Sequence, residues 1–269
     1  MKICQTCGVE HDTAAETCRI CADERQWVPA AGQQWTTLEE LAASGHQVRV
    51  HEVEPDLFGI SVDPKFAIGQ RSHLLRTRDG NLLWDVVGYC DSEAVRQVRE
   101  LGGVVAIAAS HPHHYGVQVE WSRALGGVPV LVAEADRGWV ARPDPVIRPW
   151  AGRLEVLPGV TLMQVGGHFP GSAVAHWPAG AGGKGVLLTA DTIQANPDRE
   201  TVTFMRSYPN RIPLSPAVVG RITRSVEALE FDRLYDNFGR AIDGGARAAI
   251  RTAADRYAGW VRGDFDDLT

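Results

Sequence analysis

Three histidines fall within four positions in Ser110-His111-Pro112-His113-His114-Tyr115-Gly116, directly after the apolar run Val104–Ala109. His168 follows the run Thr161–Val165, inside Gly166-Gly167-His168-Phe169-Pro170-Gly171. Asp191 follows Val186–Thr189, and Asp236-Asn237-Phe238-Gly239 follows Arg233–Tyr235. Such runs read as buried strands. Buried strands that end at one sheet edge bring their following loops together. His111, His113, His168 and Asp191 are therefore expected to converge, although they lie far apart in the chain. Imidazoles and one carboxylate in a cleft are a ligand set for Zn or Fe(II). An ion held there activates a water or polarises a carbonyl or phosphoryl oxygen.

A second ligand set stands at the start of the chain. Cys4, Cys7, Cys18 and Cys21 form C-x2-C-x10-C-x2-C. Two such knuckles put four thiolates where one tetrahedral ion can take them, and Gly8 suits the tight turn after Cys7. A disulfide frame is the alternative for a small secreted protein. The N-terminus shows no apolar leader, and the chain is large, so a structural Zn site is expected. Iron in the same sulfurs is a minor alternative, and His11 is a possible substitute ligand. Cys90 reads as a small buried hydrophobe.

These elements sit in a chain of 269 residues, 44% hydrophobic and 22% charged, with net charge −6. That is the composition of a globular protein, not of a disordered one. No dense Lys/Arg run marks a nucleic-acid binder. No apolar stretch reaches the ~20 residues of a membrane span. A cytoplasmic protein acting on a small-molecule substrate is expected. Residues 1–35 read as a metal module with a Pro/Ala/Gly/Gln connector, through which a protein partner or a second copy could dock. The larger domain is 36–269.

The elements that must position the histidines follow from pattern. Thr36 with Glu39, or Thr37 with Glu40, makes a capping box, and Gly45 ends that helix. Gln47–Val53, Leu57–Val62 and Ser72–Thr77 read as strands. Asp79-Gly80 turns the chain into Leu82–Val87. Ser92 caps a helix carrying Val95, Val98 and Leu101. Ser215-Pro216 starts a helix with Val219, Ile222, Val226 and Leu229 on one face. The last helix carries Ile250, Ala253, Tyr257 and Trp260. Gly180–Gly183 reads as a hairpin tip. Hairpins followed by βα units suggest an α/β (α+β) fold of two mixed sheets packed face to face, with helices outside.

From Gln47 to the C-terminus the chain resembles the metallo-β-lactamase superfamily. His111 and His113 match the first two histidines of its H-x-H-x-D-H motif. His168 matches that of G-H-x-x-G, and Asp191 the bridging aspartate. Asp85, in Leu83-Trp84-Asp85, matches an aspartate that supports the ligand histidines. The resemblance implies an αββα four-layer sandwich behind a small zinc-ribbon-like module. It also implies a hydrolase using a metal-activated water.

The departures are specific. Tyr115 stands where the motif has Asp, Gly116 where it has His, and Phe238 where a late His belongs. These are the family's ligands for a second metal, whereas His111, His113 and His168 are intact. The pattern points to one catalytic Zn or Fe(II). The missing Asp also orients the attacking water. Tyr115 is a poor base, with an ordinary pKa of ~10, so His114 or a loosely bound Asp191 would take that role. Tyr115, Phe238 and the loop Phe204–Asn210, with Arg206 and Tyr208, are expected to border the cleft and contact substrate. Two alternatives stay open. One is a mononuclear non-haem iron dioxygenase of the persulfide type, using His111, His168 and Asp191. The other is a non-catalytic metal- or ligand-binding protein.

Overall fold

The computed structural model describes all 269 residues. Two sheets form the body. The first runs, in spatial order, Ile147–Trp150, Val130–Ala133, Ala106–Ala108, Gly80–Trp84, Ser72–Thr77, Leu57–Asp63 and Gln47–Glu54. Its last four strands form an antiparallel meander, and the first four are parallel. The second sheet runs Arg153–Leu157, Val160–Gln164, Ala173–Trp177, Val186–Leu188, Arg233–Tyr235 and Ala241–Ile242.

Alternation along each strand decides what faces what. Leu82 and Trp84 face the second sheet and meet Leu162, Ala175, Val186 and Leu188 there. Leu83, between them, faces outward to Val95, Val98 and Trp121 of the helices Ser92–Glu100 and Gln118–Ala124. On the second sheet Leu187 faces outward to Val219, Ile222 and Val226 of Pro216–Glu227, and to Ile250 of Ala246–Arg262. Helix, sheet, sheet and helix layers result. Each fully buried Leu in these layers contributes roughly 2 kcal/mol relative to exposure. No helix is long and apolar enough to cross a membrane.

Local signals differ in detail from the sequence reading. Thr37 and Glu40 form the capping box of Leu38–Ala43. Ser92 is the first residue of its helix; the cap is Asp91, whose carboxylate accepts the Ala94 N–H at 2.7 Å. Asp is the stronger acceptor of the two neighbours and carries charge to the helix N-terminus. Ser215 caps Pro216–Glu227 as expected. Gly180–Gly183 lies between two antiparallel strands, at a hairpin tip. The loop expected over Phe204–Asn210 is instead part of a short hairpin, Met205–Ser207 with Ile212–Pro213. Trp260, expected on the buried face of the last helix, is exposed near its end.

The N-terminal residues form a three-stranded sheet from Lys2–Cys4, Glu10–His11 and Trp35–Thr36. The four cysteines belong to the same continuous core as Leu74, Leu83, Tyr115 and Trp121. The Glu10 N–H donates to Gly116 O, and the Val119 N–H donates to the Glu10 carboxylate. This sheet therefore packs on the back of the His111–Gly116 loop.

Candidate functional site

The strand Ala106–Ala108 ends two residues before Ser110, and a 3-10 turn, Pro112–His114, follows. That turn spreads the three imidazoles. Gly166 and Gly167 (φ 69° and 97°) turn the chain so that His168 enters from the second sheet. A Cβ at Gly167 would lie 2.6 Å from Ile222 Cδ1, and the φ of 97° there favours glycine. Asp191 follows Ala190, which has φ 46°, and Asp85 has φ 59°. Asp85 follows a strand of the first sheet and Ala190 a strand of the second, and two non-glycine residues held in this costly region are strain of the kind that gathers at functional sites.

His111, His113, His168 and Asp191 converge, all buried. Asp191 Oδ2 is 3.3 Å from His111 Nε2, 3.6 Å from His168 Nε2 and 3.8 Å from His113 Nδ1. His168 Nε2 and His113 Nδ1 are 3.1 Å apart. A tetrahedral ion with bonds of ~2.0–2.1 Å needs ligand atoms about 3.3 Å apart, so the four atoms fit one ion. His111 Nε2 is buried with no hydrogen-bond partner. The Met205 carbonyl accepts from His168 Nδ1 at 3.0 Å, which leaves the Nε2 lone pair facing the cluster. His111 Nδ1 pairs with Ser110 Oγ at 2.9 Å, and Gln194 Nε2 donates to Asp191 Oδ1 at 2.7 Å. Such outer hydrogen bonds orient metal ligands.

Burial pushes the His111 and His113 imidazoles down, and His168 down to about 3. Burial works to raise Asp191, but the histidines outweigh it and hold its carboxyl well below the usual range. The site is thus set for neutral imidazoles around one carboxylate.

The four thiols form the second centre. Cys4 and Cys21 Sγ are 3.6 Å apart, and Cys7 and Cys18 Sγ 3.8 Å. Disulfides would need ~2.05 Å. A tetrahedral ion with ~2.3 Å bonds to sulfur places the sulfurs about 3.8 Å apart, so this set also fits an ion. His11 lies outside the four, with Nε2 3.4 Å from Cys18 Sγ, and Gln33 Nε2 donates to Cys4 Sγ at 3.1 Å. Hydrogen bonding with Cys21 pulls the Cys18 thiol down, and that with Cys18 pushes the Cys7 thiol up.

No family model matches the chain. YmaE of Bacillus subtilis (strain 168), whose name carries the word uncharacterized, is 44% identical over 260 residues, covering 95% of this chain and 94% of its own. The chain belongs to the YmaE family. Its fold is that of the metallo-β-lactamases. The metallo-β-lactamase DIM-1 superposes with TM-score 0.60 at 12% identity, covering 78% of this chain and 97% of that one. A B3 metallo-β-lactamase with an active-site glutamic acid gives 0.56 at 17%, covering 87% and 96%. The mono-zinc form of FIM-1 from Pseudomonas aeruginosa gives 0.57 at 12%, covering 78% and 96%.

The other residues singled out in this YmaE-family chain are placed as follows. Asp85 makes no hydrogen bond to His111, His113 or His168. It holds His114 instead, with Oδ2 at 3.2 Å from Nδ1, and Oδ1 accepts the Ser110 N–H at 2.6 Å. His114 Nε2 is buried without a partner. Burial opposes charge on His114, but Asp85, and more weakly Asp191 and Asp236, raise it overall. Tyr115 points away from the cluster and donates to the Asp136 carbonyl at 3.1 Å. Gly116 (φ 48°) lies so close to the end of Gly80–Trp84 that a Cβ would stand 2.3 Å from Val86 O. A histidine there has no room. Arg206 pairs with Glu24 and is not free for a substrate anion. The Tyr208 ring lies 6.0 Å from that of His168, its hydroxyl on Asp191 O at 3.1 Å. Phe238 is half-buried, 5.8 Å from His114 ring to ring.

Sequence reasoning missed Arg25, Gln194, Met205 and Asn237, whose Nδ2 donates to Asp85 Oδ2 at 2.7 Å. Of these, Asn237 beside Phe238 and Met205 within Phe204–Asn210 lay in segments already marked. Cys90 is half-buried, its thiol pushed up by burial, and it lies apart from both clusters.

Proposed function

We propose that the chain is a metal-dependent hydrolase. One divalent ion, Zn or Fe(II), would sit on His111 Nε2, His113 Nδ1, His168 Nε2 and Asp191 Oδ2. The observation that carries the reading is the fit of these four buried atoms to one tetrahedral ion. With His111, His113 and His168 holding it and Asp191 loosely bound, so that a water could take its place, such an ion would polarise a carbonyl or phosphoryl oxygen and acidify that water.

The protein's own contribution is proton handling. Asp85 holds the proton of His114 on Nδ1 and so leaves a lone pair on Nε2. The Ser110 N–H and Asn237 prevent the carboxylate from turning. His114 Nε2 is then the unpaired base that takes a proton from water and returns it to a leaving group. A single ion is supported by Gly116, which has no room for a side chain, by Tyr115, which faces Asp136, and by Phe238, which has no lone pair. FIM-1, of the same fold, has a mono-zinc form.

The site is closely covered. The four histidines are at most 1% exposed. A substrate must be small, or the Phe238 loop and the Met205–Pro213 hairpin must part. The same burial, with four protein ligands and no open fourth position, favours a second reading as a non-catalytic metal-binding protein. An iron dioxygenase using His111, His168 and Asp191 would leave His113 outside the ligand set. Its Nδ1, 3.1 Å from His168 Nε2, speaks against that.

Metal-replete protein assayed on esters, thioesters, lactones and phosphodiesters tests the proposal. His114→Asn should keep the metal and lower turnover at least about 100-fold. A loaded protein inert on every class supports the non-catalytic reading. Consumption of dioxygen with a persulfide by the Fe(II) form supports the oxygenase.

A further inference from the structure

We propose that Arg25 is a positioning residue that couples the sulfur cluster to the histidine site. This rests on the reading of His111, His113, His168 and Asp191 as metal ligands. Arg25 stands four residues after Cys21 and is 5% exposed. Its Nε donates to the His168 carbonyl at 2.8 Å, and its guanidinium lies 4.0 Å over the Phe169 ring. Asp23 Oδ1 accepts from its Nη1 at 2.7 Å.

The same segment is held from the other side. Ser207 Oγ donates to Arg25 O at 3.1 Å. Asn210 Nδ2 donates to the carbonyls of Glu24 and Gln26, both at 2.8 Å. Ser207 and Asn210 belong to the hairpin whose Met205 carbonyl holds the His168 ring. Residues 23–26 therefore fix His168 twice, through its own backbone and through the hairpin that sets its tautomer. Cys21 fixes where that segment begins. Filling the sulfur site restrains Cys21, hence Arg25, hence His168, and by reciprocity a metal at His168 tightens the sulfur site.

Charge alone predicts the opposite sign. A buried cation beside an imidazole cluster repels a second cation. Removing it would tighten metal binding if charge were its only effect. A positioning role predicts weaker binding.

The test uses the full-length chain and Co(II). Cobalt at the sulfurs shows a sulfur-to-metal charge-transfer band, and cobalt at the histidines shows only d–d bands, so each site is titrated separately against a chelator. Arg25→Ala and Arg25→Lys should each weaken the histidine site about tenfold, since Lys keeps the charge but not the Nε donor or the planar stack. Arg25→Gln, which can still donate to His168 O, should recover part of the loss. Asn210→Ala should weaken the same site less. In Cys18→Ser the histidine site should weaken, and adding Arg25→Ala should then cost little more. Unchanged or tighter cobalt binding in Arg25→Ala overturns the proposal. So does full additivity with Cys18→Ser. A wild-type chain that takes cobalt only at the sulfurs overturns the metal reading itself, a result distinct from a neutral Arg25→Ala.

Discussion

The Asp85 carboxylate lies 3.2 Å from His114 Nδ1, in a pair wholly closed to solvent, while the other nitrogen of His114 has no partner. A buried imidazole carrying one satisfied and one free nitrogen is a proton acceptor of fixed direction. Asp85→Asn removes the charge that favours the Nδ1 proton. It should lower turnover about 100-fold or more and leave metal content unchanged. Steady-state rates beside elemental analysis check both halves.

Two ions per chain are expected, one at the sulfurs and one at the histidines. His168→Ala should leave one, because no neighbouring donor replaces its Nε2. Elemental analysis after metal-replete purification decides this. Three ions would mean that His114 and Asp236, each with an unpartnered buried atom, rebuild a second position.

Cys18→Ser should lose the sulfur-site ion. The cysteines share one core with Leu74 and Trp121, so the loss should reach the main body. A destabilisation on the order of 4 kcal/mol is expected, read as a lower urea midpoint for the tryptophan fluorescence of the whole chain. A midpoint equal to that of the wild type would contradict it.

Burial, helped by Arg71, holds the His73 imidazole down to about 3, against an ordinary 6.5. Between these values the unfolded chain binds a proton that the folded chain refuses. Stability is therefore full above about pH 6.5 and falls as pH drops toward 3, by up to about 1.4 kcal/mol per pH unit for this group. His73→Gln cannot titrate, and its stability should fall less steeply across that window. Urea titrations of both proteins over the range measure the difference.

Gly116→Ala should cost about 3 kcal/mol or more, because a Cβ meets Val86 O at a positive φ. Gly103→Ala is the control. Gly103 also has positive φ (68°), but nothing lies within 4 Å of its Cβ position, so only the ~1 kcal/mol backbone cost applies. Chemical denaturation of the two variants separates the terms.

Much of this site was legible before folding, for a local reason. Apolar runs followed by polar turns mark strand ends, so His111, His168 and Asp191 could each be placed just after a strand; that the first sheet supplies His111 and the second supplies His168 and Asp191 came only from the packing of the two sheets. The knuckle spacing of Cys4, Cys7, Cys18 and Cys21 is equally local. The partners of Asp85 and Tyr115 were not legible, because a side chain's direction depends on backbone angles such as the φ of 59° at Asp85.

The sequence by itself determined most element types and the two ligand sets, since periodicity, spacing and side-chain chemistry are properties of short segments, and its resemblance to the metallo-β-lactamase superfamily marked Tyr115, Gly116 and Phe238 as departures. Tertiary structure alone decided which nitrogen of each imidazole faces the cluster, that Gly116 leaves no space for histidine, and that Arg25 reaches His168 across 143 positions of chain. Those outcomes depend on which distant backbone atoms meet once three cores close. Contacts of that range leave no periodic trace in a single sequence.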